Sequence, residues 1–143
     1  MAAVITTRIM EDGPRNAVLL INGTEAGGST PAYQQLILPA QLGFVNQATG
    51  QRASSLRVDT IEWDVQAEAG YQVNLFWDAT VPVEFYSLIG RANKFFKNFG
   101  GLYQQTGIAG STGGIGINTA NPSATVSYSF TITLYLVKLL RPA

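Results

Sequence analysis

The chain contains no cysteine and no histidine. A disulfide framework is therefore impossible, and so is any metal site built on thiolate or imidazole. Ser-His-Asp and Cys-His nucleophilic machinery is excluded as well. Charge is scarce: 13% of the residues are Asp, Glu, Lys or Arg, with a net charge of zero, against roughly 25% charged in an average soluble protein. A nucleic-acid binder needs a concentrated basic surface, and this balance does not supply one. Low charge also removes an aid to solubility, so the surface is expected to be covered by protein in use. No apolar run approaches the roughly 20 residues of a membrane helix. The start, MAAVITTRIMEDGPRN, lacks the cationic and then apolar pattern of a secretory signal. The expectation is a protein made in a cytoplasm, with no membrane partner and no cofactor. Only carboxylate, Lys or Tyr chemistry stays open to it.

What is present is strand pattern. From Ala124 to Lys138, Val126, Tyr128, Phe130, Ile132, Leu134 and Leu136 share one parity, and small hydroxyl residues occupy the other. That is the period-two signature of a strand with one buried face. It exceeds the usual strand length of about 5–6 residues, so it bends or serves two neighbours. Asn16 to Asn22 reads as a short strand ended by the turn signal Asn22-Gly23, and Leu36 to Leu38 as another. In Leu56 to Val65 the apolar parity slips at Asp59-Thr60. A β-bulge there would bring Leu56, Val58, Ile61, Trp63 and Val65 to one face. Tyr71 to Trp77 alternates cleanly, and the two segments are expected to pair as a hairpin with Trp63 and Trp77 in the core. Val83 to Ile89 is a further strand, and Ile115 to Asn118 a short one within a long Gly/Ser/Thr-rich loop. Residues 1–15 read as an N-terminal arm, either frayed or ordered against a neighbour. Residues 16–143 read as one all-β domain, an antiparallel β-sandwich of jelly-roll type.

Four constellations could carry function. Glu62 and Asp64, with Asp59 nearby, form a carboxylate pair of the sort used in glycoside hydrolysis or for a hard cation. The plainer reading is a solvated strand face paired with Arg57. Gly113-Gly114-Ile115-Gly116 lacks the following Lys-Ser or Lys-Thr of a phosphate loop. Arg91, Lys94, Phe95, Phe96, Lys97 and Phe99 hold the ingredients of a single-strand stacking platform. Core packing and a protein contact are the competing readings, and zero net charge counts against nucleic acid. The span from Asn98 to Val137 lacks any acid or strong base. An interfacial core is similarly depleted of charge, so part of Leu102 to Ser123, with the N-terminal arm, is a candidate contact, with Tyr103 and Ile108 as the anchors of that loop.

The segments LRVDTIEWDVQ, YQVNLFWDAT and FYSLIGRANKFFKNFGGL, with the closing LYLVK, resemble the small jelly-roll cement (decoration) proteins of tailed-bacteriophage heads. The resemblance covers about Leu56 to Leu102 and the last strand. It implies a non-enzymatic structural protein, without catalytic or metal-binding residues, on the outer surface of the virion capsid. It further implies the major capsid protein as partner, and self-association as a homodimer or trimer. The alternative expectation is a carbohydrate-binding sandwich of a phage tail or fibre, with tryptophans as stacking faces.

Overall fold

The computed structural model describes residues 4–26, 32–65, 71–105, 107–120 and 127–140. Among them lie ten strands: β1 (Val4–Asp12), β2 (Asn16–Glu25), β3 (Gln34–Ile37), β4 (Ser55–Val65), β5 (Gln72–Trp77), β6 (Val83–Leu88), β7 (Arg91–Phe95), β8 (Leu102–Tyr103), β9 (Ile115–Ala120) and β10 (Tyr128–Leu139). Short 3-10 turns occupy Pro39–Gln41 and Lys97–Phe99. The strands form two packed antiparallel sheets, an all-β sandwich. Sheet A runs β1-β2-β10-β4-β7, with β8 also on β4, and sheet B runs β3-β9-β5-β6.

β10 organises sheet A. It has no Pro or Gly to interrupt a ladder, and it pairs along its length with β2 on one side and β4 on the other. Tyr128, Phe130, Ile132, Leu134 and Leu136 are buried against sheet B. Each such side chain contributes about 1.5–3 kcal/mol of burial. The bulge expected at Asp59-Thr60 is present: Tyr135 pairs Thr60 while Leu136 pairs Val58, leaving Asp59 as the extra residue. It keeps Leu56, Val58, Ile61 and Val65 in the core. Ala124 to Val126, the start of the expected strand, lie outside the described residues.

Three expectations are overturned. Asn22-Gly23 is not a turn. β2 runs through it to Glu25, and Gly23 pairs with Phe130. A Cβ on Gly23 would lie 2.1 Å from the tip of the Phe130 ring, so this glycine makes room for an aromatic ring rather than for a reversal. Second, β4 and β5 do not form a hairpin. They belong to different sheets; alternation identifies strands but not partners. Third, Trp77 is buried and stacked on Phe85 at 4.1 Å, whereas Trp63 is only half-buried. Trp63 reaches the core edge against Tyr86, and its indole N–H donates to the Ile89 carbonyl at 3.0 Å. The segment read as an arm carries β1, which pairs with β2 and forms one border of sheet A.

Candidate functional site

The outward face of sheet A can be read row by row from the register. One row carries Thr6, Asn22, Thr131, Asp64 and Arg91. The next carries Arg8, Leu20, Thr133, Glu62 and Asn93. A third carries Glu11, Val18, Tyr135, Thr60 and Phe95. In the first two rows, β10, β4 and β7 border an open depression of about 640 Å³, lined by Glu62, Asp64, Arg91, Asn93, Thr131 and Thr133 among others. Arg57 is not the partner of this acidic pair, as the sequence suggested. The bulge turns Asp59 toward Arg57, which holds it at 2.7 Å. Glu62 instead accepts a hydrogen bond from Tyr135, and this contact, ahead of burial, raises the tyrosine pKa above its ordinary value.

The ends of the sandwich differ. At one end β4 starts, β10 finishes, β7 gives way to the Lys97–Phe99 turn, β5 closes with Trp77 and β9 opens with Ile115. The loop before β9 joins the two sheets there: Gly113 packs on the Ser54 backbone, and Thr112 hydrogen-bonds Asp78. Large apolar side chains are exposed at this end, Val81 at 75% and Phe99 at 82%, with Phe44, Tyr103 and Leu140 also exposed. Isolated exposed apolar groups are ordinary, and it is a contiguous patch of them that marks an interaction surface.

The structure distributes the sequence-predicted residues as follows. Phe95 and Tyr103 lie on the outward face of β4's neighbours, opposite Thr60 and Arg57. Phe99 projects from the turn that links them. Arg91 is at the far end of β7, beside the depression. Phe96 is buried, its ring edge-on to Tyr86 at 5.4 Å. Ile108 is half-buried on a turn that hydrogen-bonds the Thr80 backbone through Ala109. The turn after Phe99 depends on Gly100 and Gly101, both at positive φ. A side chain on Gly101 would strike Arg57.

Sequence reading missed three buried polar clusters. Asp78 is 6% exposed. Its carboxylate accepts from the Tyr33 hydroxyl at 2.5 Å, Gln35 at 2.7 Å and Thr112 at 2.6 Å. Burial raises its pKa, but these three donors outweigh burial and hold it below the usual carboxylate value. Glu25, at 2% exposed, accepts from Thr119 with both oxygens, next to the stacked pair Tyr71 and Tyr128. Lys138 is buried at the end of β10 and donates to Asp12 and to the carbonyls of Gly13 and Gly43. The only sequence signal was a charged residue on an otherwise apolar strand. The Asp78 and Lys138 clusters tie strands to loops, whereas Glu25 and Thr119 join β2 to β9 across the two sheets. Among the described residues no group of three or more acidic side chains is placed to hold a metal ion, and no helix is long and apolar enough to cross a membrane.

No protein-family model matches this sequence, and no curated protein matches it.

Proposed function

We propose that this is a non-enzymatic structural protein that binds the outer surface of a bacteriophage capsid shell and stabilises it. The observation that carries the reading is the apolar end of the sandwich, where Phe44, Val81, Phe99 and Leu140 on loops and Tyr103 on β8 are exposed. Arg15 and Lys97 are exposed at the same end, and the Arg52 guanidinium lies over the Phe44 ring at 4.3 Å; aromatic groups and arginine are enriched in protein interfaces. The strand order β2-β10-β4-β7 over β3-β9-β5-β6 supports reading the sandwich as a jelly roll, the fold that the sequence resemblance implies. A protein that binds the assembled lattice but not dispersed subunits stabilises assembly through mass action. Repetition over many sites lets modest single contacts hold a shell under pressure. Self-association into a dimer or trimer has a ready surface in β1, which borders sheet A.

The test is occupancy on capsids assembled without this protein. Replacing Val81, Phe99 and Tyr103 with serine, alone and together, is expected to leave the free protein folded and to weaken binding at least about tenfold, because few central apolar and aromatic anchors carry most contact energy. Ile108→Ser, at a half-buried position, is expected to have a smaller effect. Unchanged occupancy of the folded triple variant would refute docking through this end.

A further inference from the structure

The depression on the outward face of sheet A lies at the opposite end from the apolar loops. From the Arg57 row to the Asp64 row is about 20 Å along β4, so a protein seated on a shell by its apolar end would keep this depression open. We propose that it binds a neutral oligosaccharide.

Hydrogen-bond chemistry is the first argument. Within two adjacent rows the register assembles Thr131, Asp64 and Arg91, then Thr133, Glu62 and Asn93. Carboxylates only accept, a guanidinium only donates, and carboxamide and hydroxyl groups do both. With the Thr131 hydroxyl donating to Asn22 at 3.1 Å and Glu62 accepting from Tyr135, a ligand that meets the remaining capacity must carry many groups able both to donate and to accept, at short and regular spacing. The vicinal hydroxyls of a sugar do so. An apolar peptide segment would leave most of these groups unmatched.

The neighbouring row supplies the second argument. Tyr135 and Phe95 flank Thr60 on the same face. Two strand spacings separate them, about 10 Å. A pyranose ring presents one face of C–H groups, and aromatic rings bordering a polar groove are suited to stack on it. The tryptophans, the obvious stacking candidates in the sequence, do not serve: Trp77 is buried, and the Trp63 indole is engaged with the Ile89 carbonyl. Tyr135 is fixed by its hydrogen bond to Glu62, which links the stacking row to the polar rows.

Charge narrows the ligand. Glu62 and Asp64 stand in the depression, and among the described residues Arg91 is the one cation lining it. Uronate or sialate carboxylates and phosphates would face two like charges at close range, which is unfavourable. The ligand class is therefore a neutral hexose oligomer. Both carboxylates are exposed, whereas a carboxylic acid that protonates a leaving group is set in an apolar pocket. The geometry fits binding rather than hydrolysis.

The test uses the free full-length protein, isotopically labelled, titrated separately with maltohexaose, cellohexaose, mannohexaose and, as an acidic comparison, hexagalacturonate. The expected result is saturable movement of the Asn93 side-chain amide and the Thr131 and Thr133 methyl signals with at least one neutral oligomer. Asp64→Ala, Asn93→Ala and Phe95→Ala should each weaken that binding by about tenfold or more, as lost hydrogen bonds to charged groups and lost stacking do. The melting temperature should stay close to that of the parent, since all three sites are exposed. The proposal is overturned if no neutral oligomer moves these signals, if hexagalacturonate binds as well as the neutral ones, or if the three variants bind unchanged. Because no shell is present, failure here leaves the capsid reading standing, and loss of capsid occupancy leaves this one standing.

Discussion

Lys138 concentrates much of what single side chains do in this fold. Its ammonium is withdrawn from water at the end of β10 and donates to Asp12, Gly13 and Gly43, pinning the last residue of β1 and the loop that follows the Pro39–Gln41 turn. Lys138→Met should cost about 1–3 kcal/mol, the usual range when partners in a buried polar cluster are left unmatched, read from urea unfolding at neutral pH. The pH dependence follows from Asp12. Burial raises its pKa, but the Lys138 hydrogen bond, the Gly43 N–H and the nearby cations together bring it below the ordinary value. A depressed folded-state pKa contributes stability above the unfolded value of about 3.9, and that contribution is lost as pH falls through the folded value. Asp78 acts in the same direction. Stability should therefore be level near neutrality and fall below about pH 4, with a shallower fall in Asp78→Asn, which begins from a lower plateau. Equal acid slopes in parent and variant would remove Asp78 from this account. At Gly23 the effect is steric. Gly23→Ala should cost about 1–3 kcal/mol through overpacking on Phe130, and Phe130→Leu in the same chain should recover part of that loss. Additive losses in the double variant would mean the two positions do not meet.

Strands were far more legible than their partners. The alternation in β10, the parity slip at Asp59 and the clean pattern of β5 each follow from side chains that must face in or out. Those are local demands that the chain records residue by residue. Pairing is set by which faces fit across the sandwich, and no local pattern carries it; so β4 and β5, adjacent in sequence and alike in pattern, looked like a hairpin and are not. The same gap explains Trp63. Its parity is right, but it sits where β4 meets the short strand β7 near the sheet border, and cover runs out there. Trp77→Ala should cost about 3–5 kcal/mol, as full truncation of a buried aromatic does, and Trp63→Ala roughly half as much. Chemical unfolding of both variants decides it, and equal losses would place Trp63 fully in the core. Phe95 and Tyr103 were singled out from composition, and both side chains are exposed. The depression beside Asp64 was not, because it exists only where three strands from distant parts of the chain lie side by side.

Across the whole molecule the two ends are built for different surroundings. One gathers apolar loop tips, and the outward face of sheet A toward the other end presents hydroxyls, carboxylates and an amide. Most contacts join residues far apart in the chain: among the described strands β1–β2 and β5–β6 are the sequential pairings, and β2 and β4 meet through β10. Such topologies fold slowly, in the range of milliseconds to seconds for small β domains. Stopped-flow refolding should fall in that range, and a microsecond phase carrying the full amplitude would contradict it. The place of β10 also has a consequence for biosynthesis. β10 leaves the ribosome after every other strand of the sandwich, so throughout translation the nascent chain carries β2 and β4 without their common neighbour. The apolar inner rows of both then stand open to solvent and to other nascent chains until the final strand is delivered. The nascent chain would be most vulnerable to aggregation in that interval, and shortening it by faster translation of the β10 codons should raise the soluble yield.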